Sequence, residues 1–297
     1  LLVRLLSCLD FNKRPKILTT DSEFYSFERQ IRRLEEDSLV DVHRVKTQDL
    51  QNFETELLNQ LQSQDWDLVF ISHVFFNSGV ATRQLEKLTS QLAPKTIFVL
   101  DGYHSFFALP VDLSHLGEKI YFMAGGYKYA QSGEGCCFLT LPKNCKLRPR
   151  ITGWFADMAG LENYQSGVNY SEDGYRFAGA TMDYSAMYRM RAVLKLFNRN
   201  QITIDQIHDY VQKQQQLFLE QLEQAQLSKL NLNQLVWRGD LKDHGHFLTF
   251  DLGTAENCQK TYQELLSKKI MTDYRKTRLR FGFAMYHNGP YDFLKSI

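Results

Sequence analysis

Between residues 16 and 141 short apolar runs alternate with stretches of helical periodicity, and this alternation limits the fold more than any other property of the chain. Six runs read as strands: Lys16–Thr19, Val42–Val45, Leu68–Ser72, Thr96–Leu100, Ile120–Met123 and Cys136–Leu141. Three of the gaps, Glu28–Glu35, Leu50–Gln62 and Ala81–Leu92, carry apolar or long side chains near every third or fourth position, as one face of a helix requires. Strand and helix repeated in this way predict an α/β domain with a mostly parallel sheet flanked by helices. Ligands of such sheets gather at the carboxyl ends of the strands, so chemistry is sought just after each strand.

After Pro149 the texture changes. Residues Gly153–Gly179 form an irregular stretch rich in Gly and Tyr, long enough to point to an active-site role. Two helices follow, with Met187, Met190, Leu194 and Phe197 on one face of the first, and Ile204, Ile207, Val211, Phe218 and Leu222 on one face of the second. From Gly245 the pattern gives a strand (Phe247–Leu252), a helix (Ala255–Lys268) and two strands (Ile270–Asp273, Arg278–Phe283). The predicted organisation is a large α/β domain over 1–183, with connecting helices and a smaller C-terminal α+β domain over 184–297.

Of the 297 residues, 35 Lys and Arg face 34 Asp and Glu, so no global field draws nucleic acid or acidic lipid. No run approaches the ~20 apolar residues of a membrane span. Neither nucleic acid nor membrane is an expected partner. The opening Leu-Leu-Val-Arg-Leu-Leu is cut by Arg4 and followed by Asp10, so it reads as the inside of a helix rather than a signal peptide. Five cysteines (Cys8, Cys136, Cys137, Cys145, Cys258) contain no CxxC pair, and reduced thiols in a cytoplasmic compartment are the simplest reading. Cys136 and Cys137 read as core thiols on a strand. His43, His115, His208, His244 and His246 lack metal-ligand spacing, the His-x-His at 244 reading as a strand edge or loop, and no metal is expected.

Polar groups stand at the strand ends. Ser72 closes Val-Phe-Ile-Ser, Asp101 follows Ile-Phe-Val-Leu, Lys128 follows Ile-Tyr-Phe-Met after a short Ala-Gly-Gly-Tyr turn, and Phe24 follows the first strand. An Asp and a Lys brought to one sheet edge, 27 residues apart in sequence, can face opposite ends of one small molecule. Pyridoxal 5'-phosphate needs that pair: an amine to hold its aldehyde as a Schiff base, and a carboxylate to keep its ring nitrogen protonated. Singly, Asp101 reads as a turn former and Lys128 as a solvated surface residue. The aromatic and glycine-rich surroundings of Lys128, Gly-Gly-Tyr-Lys-Tyr-Ala-Gln-Ser-Gly-Glu-Gly, shift the balance toward a desolvated nucleophile.

Asp101-Gly-Tyr-His104, Tyr127-Lys128-Tyr129 and Gly133-Glu-Gly135 together resemble the fold-type I, class V aminotransferase superfamily, most of all its kynureninase branch. The likeness runs through nearly the whole chain. Gly153-Trp154-Phe155 is similar to a segment whose Trp lies by the cofactor phosphate and substrate. Asp-Tyr-Arg275 and Leu-Arg280-Phe-Gly are like the segment that carries the substrate-carboxylate arginine.

The resemblance implies a fold-type I large domain and a pyridoxal-phosphate-dependent enzyme acting on an α-amino acid, either a transaminase or a kynureninase-like hydrolase. Lys128 would hold the cofactor and move protons, and Asp101 would pair with the pyridinium. Ser72 and His104 would line the ring, Phe24 would stack on it, and Tyr127 with Trp154 would reach the phosphate. Thr181 matches a position that contacts the phosphate from a neighbouring subunit, which implies a homodimer. Arg280 would grip the substrate carboxylate bidentately.

Two segments depart from the branch: Ala180-Thr181-Met182-Asp183 stands where it has an Asn followed by prolines, and Phe24-Tyr25-Ser26 keeps part of its Phe-Pro-Ser-Asp. The family's phosphate-gripping turn is expected before Leu1, and a final helix after Ile297. No cysteine lies between Ile270 and Arg280, which disfavours a desulfurase. The rival reading is a non-catalytic binding module on the same scaffold. A nucleotide-binding reading lacks a GxGxxG or P-loop after any strand.

Overall fold

A computed structural model describes residues 1–116, 118–162 and 167–296, so residues 163–166 of the Gly- and Tyr-rich stretch lie outside it. The chain divides into two compact units. The first comprises residues 1–73, 82–103 and 112–192; the second comprises 74–81, 104–111 and 193–297.

The first unit is built on six strands: β1 (Lys16–Thr20), β2 (Asp41–Val45), β3 (Leu68–Ser72), β4 (Ile97–Asp101), β5 (Ile120–Gly125) and β6 (Cys137–Leu139). Their order is β2-β1-β3-β4-β5-β6. The first five are parallel, and β6 runs antiparallel to β5 at the edge. On one face Ile17, Leu68, Phe70, Val99 and Met123 pack with Leu5 and Leu6 of α1 (Leu2–Leu6) and with Phe27 and Ile31 of α2 (Tyr25–Glu36). The Phe27 and Phe70 rings stack 3.7 Å apart. On the other face Leu18, Val69, Ile71, Phe98 and Leu100 meet Leu57, Leu58 and Leu61 of α3 (Phe53–Ser63) and Leu85 and Leu88 of α4 (Leu85–Ser90). Burial on both faces is why these strands read as unbroken apolar runs. The architecture is the predicted one, a mostly parallel sheet flanked by helices.

Three local expectations change. The helix predicted over 81–92 shrinks to α4, because the backbone before it is spent elsewhere. The Thr82 amide bonds the His73 carbonyl at 2.8 Å, the Thr82 hydroxyl bonds the Ser72 carbonyl at 3.0 Å, and Glu54 takes the Arg83 and Gln84 amides. Cys137 is exposed and Cys136 only partly covered, since β6 is a three-residue edge strand and not a core strand. The strand predicted at 270–273 starts later, at Asp273.

In the second unit, α6 (Ile204–Ala225) and α7 (Ala255–Ser267) pack with a three-stranded antiparallel sheet formed by β7 (Phe247–Asp251), β8 (Asp273–Arg275) and β9 (Arg278–Gly282), in the order β7-β9-β8. Thr203 and Gln206 bond each other's main-chain amides at the start of α6, and Thr254 caps α7. The amides of Lys268, Lys269 and Ile270 close the end of α7 on Leu265 and Leu266, which delays β8 to Asp273. The core gathers around Phe218, whose ring contacts those of Phe250, Phe281, Phe283 and Tyr291.

The helix α5 (Ser185–Arg199) runs across the boundary between the units. Of the four residues predicted to form its apolar face, Phe197 is buried while Met187 and Leu194 are exposed. That face lacks most of the cover a core helix would have.

Candidate active site

Parallel strands deliver their carboxyl ends to one edge of the first unit. In the register of β3 and β4, Ser72 lies beside Asp101, and in that of β4 and β5, Asp101 lies beside Met123. The chain leaves β5 through Gly125 and Gly126 and reaches Lys128 two residues on. A Cβ at Gly125 would stand 2.7 Å from the Tyr103 ring and 2.8 Å from the Tyr127 ring, and one at Gly126 would run into Ser132 Oγ. Both glycines are therefore required for the turn to pack. Ser132 Oγ is itself buried with no hydrogen-bond partner among the described residues.

Three aromatic rings surround the Lys128 ammonium: Phe24 at 5.6 Å from nitrogen to ring centre, Tyr103 at 5.9 Å and Tyr127 at 5.9 Å. Such rings replace water with apolar surface while their faces still attract a cation. Tyr103 and Tyr127 meet at 5.8 Å between ring centres. Burial first, then contact with Cys137, raises the Tyr103 phenol well above its usual range; burial raises the Tyr127 phenol too, so both stay neutral.

Asp101 Oδ1 accepts the Tyr103 amide at 3.0 Å. Burial pushes the Asp101 carboxyl up to about 6, opposed by that amide and by the positive charge of Lys128. Ser72 is buried, and its main-chain amide and hydroxyl both donate to one carboxyl oxygen of Glu23, at 2.9 and 2.6 Å. Phe24 is the residue immediately before α2, held in extended geometry.

Trp154 and Thr181 are exposed residues of the first unit. Trp154 opens a short 3-10 helix, its ring edge-on to Phe155 at 4.2 Å. The two segments approach each other, since the Phe155 amide bonds the Gly179 carbonyl at 3.0 Å.

His104 and Arg280 belong to the second unit, where both border Phe247. The His104 ring meets Phe247 edge-on at 5.7 Å, and the Arg280 guanidinium lies 5.3 Å from the same ring centre. Arg280 also donates to the Phe76 carbonyl and to the Asp273 carboxylate.

Sequence reasoning assigned no role to Glu23, Tyr103, Phe247 or Asp273. Glu23 carried one usable signal: an acidic residue between a buried strand and the aromatic Phe24, where a solvated acid would be expected inside the helix that follows. Among the described residues no group of three or more His, Cys, Asp or Glu side chains is arranged to hold a metal ion.

Comparison with known proteins gives these elements a family. The model of the class V aminotransferases matches residues 2–269. A kynureninase of Geobacillus thermodenitrificans (strain NG80-2) is 31% identical over 150 residues, covering 48% of this chain and 35% of that protein, so the match takes in about a third of the relative. Among solved structures, an apo cysteine desulfurase from Thermococcus onnurineus NA1 superposes with a TM-score of 0.77 at 17% identity, covering 99% of this chain and 74% of the other. A variant of C-DES with glycine covalently linked to its PLP cofactor superposes with a TM-score of 0.73 at 20% identity, over 91% of this chain and 70% of the other. The chain belongs to the class V aminotransferase family, within the pyridoxal-phosphate fold-type I class that its motifs resemble.

Proposed function

We propose that this chain is a pyridoxal-phosphate-dependent enzyme acting on an α-amino acid, with Lys128 as the amine that holds the cofactor. The observation that carries this reading is the set of three rings and a partly buried carboxyl near one lysine, at the carboxyl ends of adjacent parallel strands. The residues fit the group chemically. An amine suits its aldehyde, Phe24 suits one face of its ring, and Asp101 accepts one amide on Oδ1 and has no hydrogen bond to Oδ2 among the described residues. When bound, pyridoxal phosphate supplies an electron-poor ring that stabilises negative charge at the substrate's Cα.

The protein's own groups then divide the work. Asp101 would pair with the ring nitrogen, where its carboxylate would keep the electron sink strong. Lys128 would hold and move a proton at Nζ. Tyr103 and Tyr127, as neutral phenols, exclude water from that amine. Ser72 and His104 would line the ring, Tyr127 and Trp154 would reach the phosphate, and Thr181 would reach it from a second copy. Arg280 would bind the α-carboxylate through two parallel N–H bonds, held in orientation by Asp273 and the Phe76 carbonyl.

Kynureninase-like hydrolysis is the reaction favoured within this class, on the strength of the Geobacillus relative. Transamination is the second reading, favoured by the family model. The desulfurase relative supports the fold alone, and no cysteine lies between Ile270 and Arg280. All five cysteines are free, in keeping with a reducing, cytoplasmic compartment, and no helix among the described residues is long and apolar enough to cross a membrane.

The test of cofactor is a visible absorption spectrum after addition of pyridoxal phosphate, which should show a bound chromophore that Lys128→Ala abolishes. A colourless wild-type protein that takes up no cofactor overturns the reading. The test of reaction is incubation with kynurenine, watching for anthranilate, beside incubation with an amino acid plus a 2-oxo acid, watching for a new amino acid.

A further inference from the structure

Glu23 is a buried carboxyl that the proposed chemistry leaves without a task. It sits in the turn between β1 and α2, and its side chain is enclosed. Oε2 receives both the amide and the hydroxyl of Ser72, at 2.9 and 2.6 Å, and Oε1 lies 2.7 Å from Thr20 Oγ1. Glu23 makes no ion pair among the described residues. A buried carboxylate with no counter-charge is costly, and the usual relief is to keep its proton.

Ser72 links Glu23 to Asp101. The register places Ser72 of β3 beside Asp101 of β4, so two carboxyl groups flank one serine at the edge where Lys128 arrives. The two are not equivalent. Asp101 feels the Lys128 charge, whereas Glu23 feels the negative charge of Asp101. The side chains that bond Glu23, Thr20 and Ser72, are uncharged hydroxyls, and the neighbouring Ser22 hydroxyl pairs with that of Thr47. Asp21 is turned away, accepting the Thr47 amide and hydroxyl with Lys46 beyond it at 3.7 Å.

We propose that Glu23 and Asp101 form a carboxyl pair with a single proton between them. Glu23 is the neutral member, a positioning residue that fixes Ser72 and leaves the charge of the pair on Asp101. Thr20 Oγ1 donates to Oε1 of an ionised Glu23; with the proton on Oε1 that bond reverses, from acid to hydroxyl, and Thr20 Oγ1 still accepts the Ser22 amide at 3.2 Å. Oε2 keeps both bonds from Ser72, whose hydroxyl proton is thereby committed, so Ser72 meets any ligand at this edge as an acceptor. The ordering of proton affinities agrees: burial raises Glu23 to about 8 and Asp101 to about 6. The link to cofactor binding rests on the reading of this edge as the pyridoxal phosphate site; the protonation state of Glu23 does not.

The test compares wild type with Glu23→Gln, a neutral isostere able to keep the bonds to Ser72 and Thr20. In cofactor-free protein, a neutral buried Glu23 is penalised as pH rises, because the unfolded chain ionises near 4.5 while the folded one holds its proton to about 8. The variant should therefore melt higher than wild type, by a margin that grows from pH 5 to 8 and then levels. A margin that is flat with pH, or a variant that melts lower above pH 5, overturns the proposal.

Carbon-13 NMR of wild-type protein labelled at its glutamate carboxyls guards against a variant that fails to fold. One carboxyl should titrate above pH 7, and its absence also overturns the proposal. With pyridoxal phosphate added, Glu23→Gln should keep the wild-type visible band at pH 7 while Asp101→Asn changes it. If neither wild type nor Glu23→Gln takes up cofactor, the proposed function fails, while the melting and NMR results still decide the state of Glu23.

Discussion

Asp101 and Lys128 meet at Tyr103: the carboxylate accepts the tyrosine's amide at 3.0 Å, and the ammonium lies 5.9 Å from the centre of its ring. Opposite charges are thus offered to one small space, the Lys128 charge working against the rise of the Asp101 carboxyl. A ligand with an acceptor for the amine at one end and a donor for the carboxylate at the other can take both.

Replacing Lys128 by Ala should abolish the visible chromophore and cut turnover by at least the ~100-fold to 10,000-fold that a positioned proton carrier supplies. Absorption spectra and steady-state rates with the best amino acid substrate measure this. Retention of the chromophore by the variant would remove Lys128 from its proposed role.

Arg280 should bear on substrate affinity more than on chemistry. Arg280→Lys loses the two-pronged geometry, so KM for the amino acid should rise about tenfold to a hundredfold, as expected for ~1.5–3 kcal/mol of charged hydrogen bonding, with kcat changed much less. An unchanged KM would show that the carboxylate is held elsewhere.

The second unit should be acid-sensitive. Its core holds His208, His244 and His246, with His208 Nδ1 3.0 Å from His246 Nε2. Burial lowers His244 to about 4 and His246 to about 3, the neighbouring imidazoles adding to the effect. In the unfolded chain both titrate near 6.5, so that state binds more protons between these values. Stability is therefore undiminished above about pH 7 and falls as pH drops below 6.5. His244 alone accounts for about 3 kcal/mol by pH 4. Denaturant melts at pH 7.5 and 5 would reveal the drop, and His244→Gln should flatten it.

Two copies should associate. Trp154, Met158, Tyr175, Met187 and Tyr188, all in the first unit, are exposed, large apolar side chains of the kind that an interface covers. Light scattering should report a dimer, and Tyr188→Asp should shift it toward monomer. A wild-type monomer that binds cofactor tightly would remove the cross-subunit role proposed for Thr181.

Much of this was legible in the sequence, and the failures share a cause. The strands β1 to β5 lie within two residues of their predicted ends; β3, β4 and β5 carry the apolar signature of burial on both faces, whereas β2 is a half-exposed edge strand. Ala81 to Gln84 looked helical because periodicity does not register that Glu54, 29 residues before Arg83, captures the backbone there. Cys137 looked buried because composition does not distinguish an edge strand from a central one. His244 and His246 read as a loop or strand edge, yet both are buried, their polarity met by the Ser78 carbonyl and by His208, partners distant in sequence. Lys128 and Asp101 are candidates from local motifs, whereas the bonds that define Glu23 come from Ser72, 49 residues away.

Because β1 to β5 all point one way, the opposite rim of that sheet, where Lys16, Leu68, Ile97 and Ile120 begin their strands, is free of the groups assigned to chemistry. Reporter tags or affinity handles grafted into its exposed Pro94–Lys95 turn should leave the proposed turnover intact, giving this protein a ready point of attachment to a solid support.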